Sequence, residues 1–464
     1  MKKKNSNTKD LATLVFKKLK GARVHSPIPT EEILNILFEN LFYSSIKTEE
    51  SDFIKVTITL INSKIPDPVP PKRIVKDRWE YIRFDESIEF NVKNIVKLSK
   101  AADPWSASLA VDFNAKNEIV IWGMIDQAVH YQSFLHYEAE SGPEQPGLFQ
   151  TSITGIGSLV VIFDYELIAT LKQNVLISNY LNVFNRGPVH EMLKSHTINY
   201  LNEVRLFVNS EVDGEDVTFW EQYLFGIWTE ALSRILIRIQ SYQHGGAFII
   251  TNNFESDLDI KHKIKYDRLF TSICNLAKVT IDNHSYSNFI QAKYMDEGND
   301  FLPMDLYLGE SVSDFTKREH SDELKGAIRF IASLSCIDGL VVFDTDLKVK
   351  GFGTVIKNIE LPEYVYLSKS PSPSANNILS VDPNSFGTRH RSMFSFCWKN
   401  PESLGFVVSQ DGDIRVIARV VDKLIMWENI KVQQLLKSTY LKRVIKKKPV
   451  TTDSNHGIDS EPSL

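Results

Sequence analysis

Two groups of residues in the last third of the chain combine side chains that suit phosphate and metal chemistry. The first is Asp338-Gly339-Leu340, which opens the apolar run Val341-Val342-Phe343. The second is Gly387-Thr388-Arg389-His390-Arg391. One group offers a carboxylate beside a glycine, and the other offers a dense set of cations and hydrogen-bond donors.

The first group begins a predicted strand. Its apolar, β-branched run is typical of a buried strand, and Asp338 stands at the leading edge, where a carboxylate can face a cleft. Carboxylate oxygens are the ligands that Mg²⁺ and Mn²⁺ prefer, and Gly339 allows a ligand to approach the backbone closely. The alternative is a plain Asp-Gly turn entering a strand, which is common.

The second group predicts a phosphate site. Arg389 and Arg391 present planar forks of donors that match phosphate oxygens two at a time. His390 would add a third donor and the Thr388 hydroxyl a fourth, while Gly387 would supply a tight turn. The alternative is a solvated basic turn, because short basic runs are usually exposed to water.

The order of these groups along the chain resembles that of a known family. The first group is followed by Leu361-Pro362, a Ser/Pro-rich loop, the Gly-Thr-Arg-His-Arg motif and an apolar run that ends in Ser409-Gln410-Asp411. This arrangement resembles the diadenylate cyclase (DAC) domain, the nucleotide-binding domain of the DNA-integrity-scanning protein and its relatives. The resemblance extends over residues 300 to 430.

The resemblance implies a specific reaction. DAC domains make cyclic di-AMP from two ATP molecules, held by two domains that face each other, with Mn²⁺ or Mg²⁺ as the cofactor. It therefore implies self-association of DAC domains, with ATP as substrate and cyclic di-AMP as product or ligand. The residues carried over are Asp338 (metal and 3′-hydroxyl) with Gly339 beside it, Gly387, Thr388, Arg389, His390 and Arg391 (triphosphate), and Leu340 and Ser409 (nucleotide edge).

Two departures from the family pattern leave an alternative function open. Leu340 stands where the family has alanine, and Gln410 stands where it often has an acidic residue. An amide is a poorer metal ligand than a carboxylate, and Asp411, which could replace it, is one position further along the strand. The chain is therefore expected to be a diadenylate cyclase or, alternatively, a weak or inactive DAC-like domain that binds ATP or a cyclic dinucleotide as a sensor.

Composition limits the other classes of function. The chain has 464 residues, a net charge of −5 and three cysteines without metal-ligand spacing. No global positive field indicates nucleic acid, and no apolar run reaches the ~18 residues of a membrane helix. These features predict a cytoplasmic protein without membrane or nucleic-acid partners.

The predicted fold class is α/β (α+β), with a mixed sheet flanked by helices in the C-terminal domain and a mixed α/β domain before it. The segment Asp103-Pro104-Trp105-Ser106 and its following hairpin resemble a sensor-type domain found in front of some DAC domains. The predicted divisions are an N-terminal arm (1–24), a sensor-type domain (25–255), a helical connector (256–300), a DAC-like domain (301–440) and a disordered tail (441–464).

The hairpin patterns suggest an internal repeat. The hairpins at 108–123 and 158–171 have a pattern like those at 339–353 and 405–418, with an apolar strand, a polar turn and a second strand. The N-terminal half could therefore be a degenerate relative of the C-terminal domain without the Arg-His-Arg group. A chance similarity between hairpins is the alternative, and a common strand order in the two halves distinguishes these possibilities.

Overall fold

The computed structural model describes residues 5–20, 28–67, 70, 72, 78–114, 116–127, 147–211, 217–242, 244–254, 257–291, 302–410 and 412–432. Two large mixed sheets, each covered by helices, form the molecule, which confirms the predicted fold class. Several positions lie outside the described residues: Asp411, His130, His136, residues 296–300, residues 433–440 and the predicted tail.

The N-terminal unit is built on an eight-stranded sheet of order β10-β9-β8-β7-β3-β5-β6-β4. Its strands are β3 Val56–Leu60, β4 Trp79–Glu89, β5 Ala107–Phe113, β6 Ile119–Gln127, β7 Phe149–Gly155, β8 Ser158–Phe163, β9 Glu166–Lys172 and β10 Val175–Ile177. A small ribbon, β1 Thr48–Glu49 with β2 Asp52–Phe53, precedes them. Helices α1 Thr8–Leu19, α2 Glu31–Ser45 and α3 Val92–Leu98 contribute apolar side chains to the same core.

Local sequence explains why the first two helices begin where they do. The Asn7 side chain accepts hydrogen bonds from backbone nitrogens in the first turn of α1. The Asp10 carboxylate accepts one from the Asn7 backbone nitrogen, which completes a capping box. The Thr30 side chain caps α2, whose first turn carries Glu31 and Glu32 at the positive end of the helix dipole. Both helices agree with the predictions from helical periodicity.

The C-terminal unit is built on a nine-stranded sheet of order β12-β14-β13-β11-β17-β18-β19-β15-β16. Its strands are β11 Gly246–Ile250, β12 Leu258–Tyr266, β13 Leu340–Phe343, β14 Val349–Ile356, β15 Val365–Ser368, β16 Ile378–Val381, β17 Leu404–Val408, β18 Ile414–Val420 and β19 Lys423–Trp427. The helices of this unit are α4 Pro188–His196, α5 Ile198–Glu211, α6 Val217–Ser241, α7 Arg268–Ile290, α8 Met304–Leu334 and α9 Thr388–Lys399.

The second sheet is buried on both faces. Alternate residues of β11 point to opposite sides, so Phe248 joins the core beneath α4 to α8, whereas Ile249 joins the core beneath α9. A continuous apolar strand such as β11 is typical of a central strand with helices on both sides. The arrangement fixes α9, which carries the Gly-Thr-Arg-His-Arg motif, against one face of the sheet.

The two sheets share a seven-strand order. Strands β4-β6-β5-β3-β7-β8-β9 lie in the same sequence across the first sheet as β12-β14-β13-β11-β17-β18-β19 across the second. In both, the first strand along the chain pairs in parallel with the third, and every other pairing is antiparallel. The common strand order agrees with an internal repeat. However, the hairpin at 158–171 corresponds to β18–β19, and not to 405–418 as the sequence pattern suggested.

Three features of the second unit were not predicted. Strand β12 occupies part of the predicted helical connector, and the hairpin of β15 and β16 lies in the Ser/Pro-rich region. Helix α8 extends without interruption from Met304 to Leu334, over the first part of the predicted DAC-like domain. The domain limits stay predictions, but β11 and the helices packed on it place the start of the second unit before residue 255.

The aromatic cluster beneath the second sheet gives a test of this packing. Phe406 is fully buried and stacks on Phe248 with ring centroids 4.7 Å apart. Phe406→Ala removes this contact and leaves a cavity, so we expect a loss of about 3–5 kcal/mol in the free energy of unfolding of this unit. Phe315→Ala, at a side chain 59% exposed, should change it by less than about 0.5 kcal/mol. Denaturant titration of both variants measures the difference, and equal losses would contradict the packing.

Candidate functional site

Strand direction brings the ends of several strands to one edge of the second sheet. Strands β11 and β13 run parallel, so Gly245-Gly246 and Asp338-Gly339 both lie at their starts. Strand β17 runs antiparallel to β11, with Val408 opposite Gly246, so it ends at this same edge. Ser409 and Gln410 therefore follow on the edge where Asp338 stands. We refer to this set of strand ends as the motif edge.

Asp338 lies at the motif edge with its side chain exposed, directly after the turn that ends α8. The next residue, Gly339, has φ +117°, and a Cβ there would lie 2.5 Å from the carbonyl carbon of Gly353. Gly339 is therefore required by the close packing of the hairpin backbone itself. Leu340 is buried in the core with Ala247 and Val407. Its place at the nucleotide edge, which the resemblance implied, stays a prediction.

The Gly-Thr-Arg-His-Arg motif forms the N-terminus of α9. Gly387 is the N-cap, with φ −65° and ψ 164°, and no side chain caps the helix. This is an ordinary extended conformation, so the predicted tight turn at Gly387 is wrong. A Cβ there would meet nothing within 4 Å. The exposed Thr388 follows, and the positive end of the helix dipole lies open beside it.

Arg389 reaches the motif edge beside Gly245. Its Nη1 atom lies 3.0 Å from the position that a Cβ on Gly245 would take. The same position is 3.0 Å from the Val408 carbonyl oxygen and 3.1 Å from the Gln410 backbone nitrogen. Gly245 itself has φ +72°, so both its conformation and the nearby guanidinium favour glycine. Gly245 belongs to neither sequence motif, so the sequence alone did not associate it with the site.

Arg389 and Arg391 lack acidic partners. Within the described part of the chain, neither guanidinium forms an ion pair with a carboxylate. The Arg391 Nε atom is buried and has no hydrogen-bond partner there. Buried guanidinium donors normally have acceptors, so this arrangement fits an anion that the two arginines would share.

His390 is held as a hydrogen-bond acceptor. Arg415 Nη1 donates to His390 Nε2 over 3.1 Å, and Arg415 Nε donates to Glu428 Oε1 over 2.9 Å. Burial, followed by the positive charges of Arg415 and Arg389, lowers the pKa of His390 from 6.5 to about 4. The imidazole is therefore neutral at neutral pH, and its Nε2 atom is occupied by Arg415.

Ser409 shapes the turn after β17. The Ser409 hydroxyl accepts a hydrogen bond from the Asp413 backbone nitrogen over 3.0 Å, and the Ser409 nitrogen donates to the Asp413 carbonyl over 2.9 Å. Gly412 closes the turn with a bond of 2.9 Å to the Ser409 carbonyl. The hydroxyl is thus engaged within its own turn. Gln410 remains exposed at the motif edge.

An ion pair joins the motif edge to the N-terminal unit. Lys172, at the end of β9, pairs with Asp413, which lies 3.9 Å from Arg415 Nη2. The same surfaces line a cavity of about 820 Å³ between the two units, bounded by Lys55 and Gly155 on one side and by Gln410 and Arg415 on the other. The ion pair therefore connects the N-terminal sheet with the residues around His390.

The fit of a divalent metal depends on one carboxylate. Asp338 is the predicted ligand within the described residues, and they contain no group of three His, Cys, Asp or Glu side chains that could hold a metal ion. A hard cation needs several oxygen ligands, so the remaining ones would have to be phosphate oxygens and water. The exposed position of Asp338 suits an ion that arrives with a nucleotide.

Comparison with known proteins supports the sensor-type assignment. Residues 23–126 match a family model described as "Probable sensor domain DACNV", a domain found in front of DAC domains. The matched range contains the Asp103-Pro104-Trp105 segment. No DAC domain model matches the chain, and neither a curated protein nor a solved structure matches it. The assignment of the second unit therefore rests on its motifs and their geometry.

The helices of the described residues differ from membrane-spanning segments. None of them combines the length and the apolar character that a membrane span requires.

The neutral state of His390 generates a prediction about pH. The unfolded chain protonates this histidine near pH 6.5, whereas the folded chain protonates it near pH 4. The free energy of unfolding should therefore fall as pH decreases through this window, because only the unfolded state takes up the proton. We expect His390→Gln to reduce this fall, as measured by denaturant titrations between pH 7 and pH 4. A midpoint near 6.5 for His390 in an NMR titration of the folded protein would contradict the assignment.

Proposed function

We propose that the C-terminal unit binds ATP at the motif edge and condenses two ATP molecules into cyclic di-AMP with release of two pyrophosphates, under the control of the N-terminal sensor-type unit. The observation that carries this proposal is the meeting of Arg389 with Gly245 and the end of β17, on the same edge as Asp338. The cations at this edge suit a negatively charged triphosphate, and the carboxylate suits the metal ion that accompanies it.

Arg389 and Arg391 would hold the phosphate oxygens. Both lack carboxylate partners within the described residues, and they stand at the N-terminus of a helix without a capping side chain. Because these donors and the helix dipole already point to one region, they need little reorganisation when the anion binds. His390 would position this group, because Arg415 fixes its ring and leaves only its Nδ1 atom available.

Asp338 would act at the reacting atoms. Its carboxylate is exposed at the start of β13, where it can bind a metal ion or accept the proton of an attacking ribose 3′-hydroxyl. A divalent cation, when bound, would supply positive charge at the α-phosphate. The nucleotide on the other side of the reaction would come from a second motif-bearing unit, as the resemblance to DAC domains implies.

Control by the N-terminal unit would act through the Lys172–Asp413 ion pair. Asp413 organises the Ser409 turn and lies beside Arg415, which in turn holds His390. A ligand that shifts the N-terminal sheet would change this set of contacts. The match of residues 23–126 to a probable sensor domain supports such a role.

A second candidate is a sensor that binds the nucleotide without turning it over. The observation in its favour is the exposed Gln410 at the motif edge, where a carboxylate would complete a metal site. Here the motif edge would bind ATP or cyclic di-AMP, and the occupied state would be the signal.

Product analysis distinguishes the two candidates. The purified chain is incubated with ATP and Mn²⁺, then with Mg²⁺, and cyclic di-AMP is measured by mass spectrometry. We expect product from the native chain and a loss of at least about a hundredfold in Asp338→Asn, because the reaction loses its metal-binding and proton-accepting carboxylate.

Asp305→Asn is the matched control, because it removes a carboxylate from the first turn of α8, far along the chain from the motif edge. It should leave product formation unchanged. Undiminished synthesis by Asp338→Asn would reject the role of Asp338. ATP binding without any product, in the native chain, would favour the sensor.

A further inference from the structure

Four cations line a small pocket between the N-terminal unit and two helices of the C-terminal unit. Arg234, Arg238 and Ser241 reach it from α6, Lys325 and Arg329 reach it from α8, and Trp105 reaches it from the N-terminal unit. No acidic side chain of the described residues lines it. The motif edge uses none of these side chains.

The positive charges are closely spaced along both helices. Arg234 and Arg238 are four positions apart on α6, and Lys325 and Arg329 are four positions apart on α8. Like charges at this spacing repel within a helix. The two helices also pack against each other, so both pairs face one pocket.

Acidic side chains of the chain pair with Arg234 and Lys325. Glu230 accepts from Arg234 Nη2 over 2.7 Å, and Asp322 accepts from Lys325 over 2.8 Å but is itself largely exposed. Arg234 is only 8% exposed, and the Nε atoms of Arg234 and Arg238 are buried without hydrogen-bond partners. Two buried donors without acceptors, directed from one helix, indicate an acceptor that comes from outside the chain.

Trp105 is held firmly at the mouth of the pocket. The Asp103 side chain accepts from the Trp105 backbone nitrogen over 3.1 Å, and the Asp103 carbonyl accepts from Ser106 and Ala107 over 3.0 Å and 2.7 Å. This turn presents an indole that is 45% exposed. A fixed aromatic face beside arginines suits a ligand with a flat ring next to its negative charge.

We propose that this pocket binds a phosphate group, either as inorganic phosphate or as the phosphate end of a small aromatic ester that lies against Trp105. Guanidinium forks match phosphate oxygens, and Lys325 adds a compact charge from the facing helix. The enclosed volume of about 30 Å³ limits the interior of the pocket to a compact group.

The pocket has a mechanical connection to the motif edge. Helix α6 ends at Ser241, shortly before Gly245, and α8 leads through Ser335 to Asp338. A Cβ on Gly246 would lie 2.8 Å from Ile239 Cγ2 on α6 and 2.9 Å from Cβ of Ser335, the C-cap of α8. The ends of both helices therefore pack closely against the start of β11. A phosphate that draws the helices together would therefore reposition Gly245 and Asp338. This consequence rests on the proposed function, whereas the binding itself does not.

Calorimetric titration of inorganic phosphate into the full chain, in buffer free of phosphate and sulfate, tests the proposal. The Arg389→Ala background removes phosphate binding at the motif edge. We expect saturable binding that weakens by on the order of tenfold in Arg238→Gln. Arg318→Gln, at an exposed arginine on α8 outside the pocket, is the matched control and should bind as the parent does.

The melting temperature gives a second readout that a purely structural role would not produce. Without anion, Arg238→Gln should melt at the same or a higher temperature than its parent, because one repulsive charge is gone. Phosphate should raise the melting temperature of the parent but not that of the variant. Lys325→Gln repeats the test from the facing helix if Arg238→Gln does not fold.

A comparison of inorganic phosphate with AMP identifies the source of the phosphate group. Tighter binding of AMP, reduced to the level of phosphate in Trp105→Ala, indicates an ester, and equal binding of both probes indicates free phosphate. No binding of either probe, or binding unchanged in Arg238→Gln and Lys325→Gln, overturns the proposal. Absence of cyclic di-AMP synthesis in the native chain, with phosphate binding at the pocket intact, would reject the proposed function alone.

Discussion

The parallel pairing of β11 with β13 is the constraint on which the candidate site depends. It places Gly245 and Asp338 at one edge of the sheet, and the antiparallel β17 returns the chain to this edge at Ser409. Helix α9 packs on one face of these strands through Met393, Phe394 and Phe396, which aims its first turn at the edge. The chemistry of the two motifs therefore follows from strand direction and from one buried helix face.

The same strand order in the N-terminal unit gives the molecule an internal symmetry of architecture. Lys55 precedes β3 and Gly155 ends β7, the strands that correspond to β11 and β17. Both residues line the cavity that Gln410 and Arg415 bound from the other side. The two units thus meet by corresponding edges, and only the C-terminal one carries the Arg-His-Arg group. This arrangement gives a sensor direct access to the edge that it would control.

Periodicity and motif order predicted much of this architecture, because amphipathic helices and apolar strands carry their pattern locally. The mixed sheets flanked by helices, and the strands at 339–353 and 405–418, agree with expectation. Contacts between residues far apart in the sequence leave no such local pattern. Neither the Arg415–His390 bond nor the approach of Arg389 to Gly245 has a local signal, apart from the glycine itself. The face that Leu340 occupies was not predictable for the same reason, since only the folded sheet shows it.

The central claim is that the two motifs form one nucleotide site, and ATP binding tests it most directly. Titration calorimetry would compare the full chain with Arg389→Ala and with Arg318→Ala, an exposed arginine on α8. The account predicts that Arg389→Ala weakens ATP binding by on the order of tenfold or more, because a charge-assisted phosphate contact is lost, and that Arg318→Ala binds ATP as the native chain does. Equal ATP affinity in all three proteins would contradict the account.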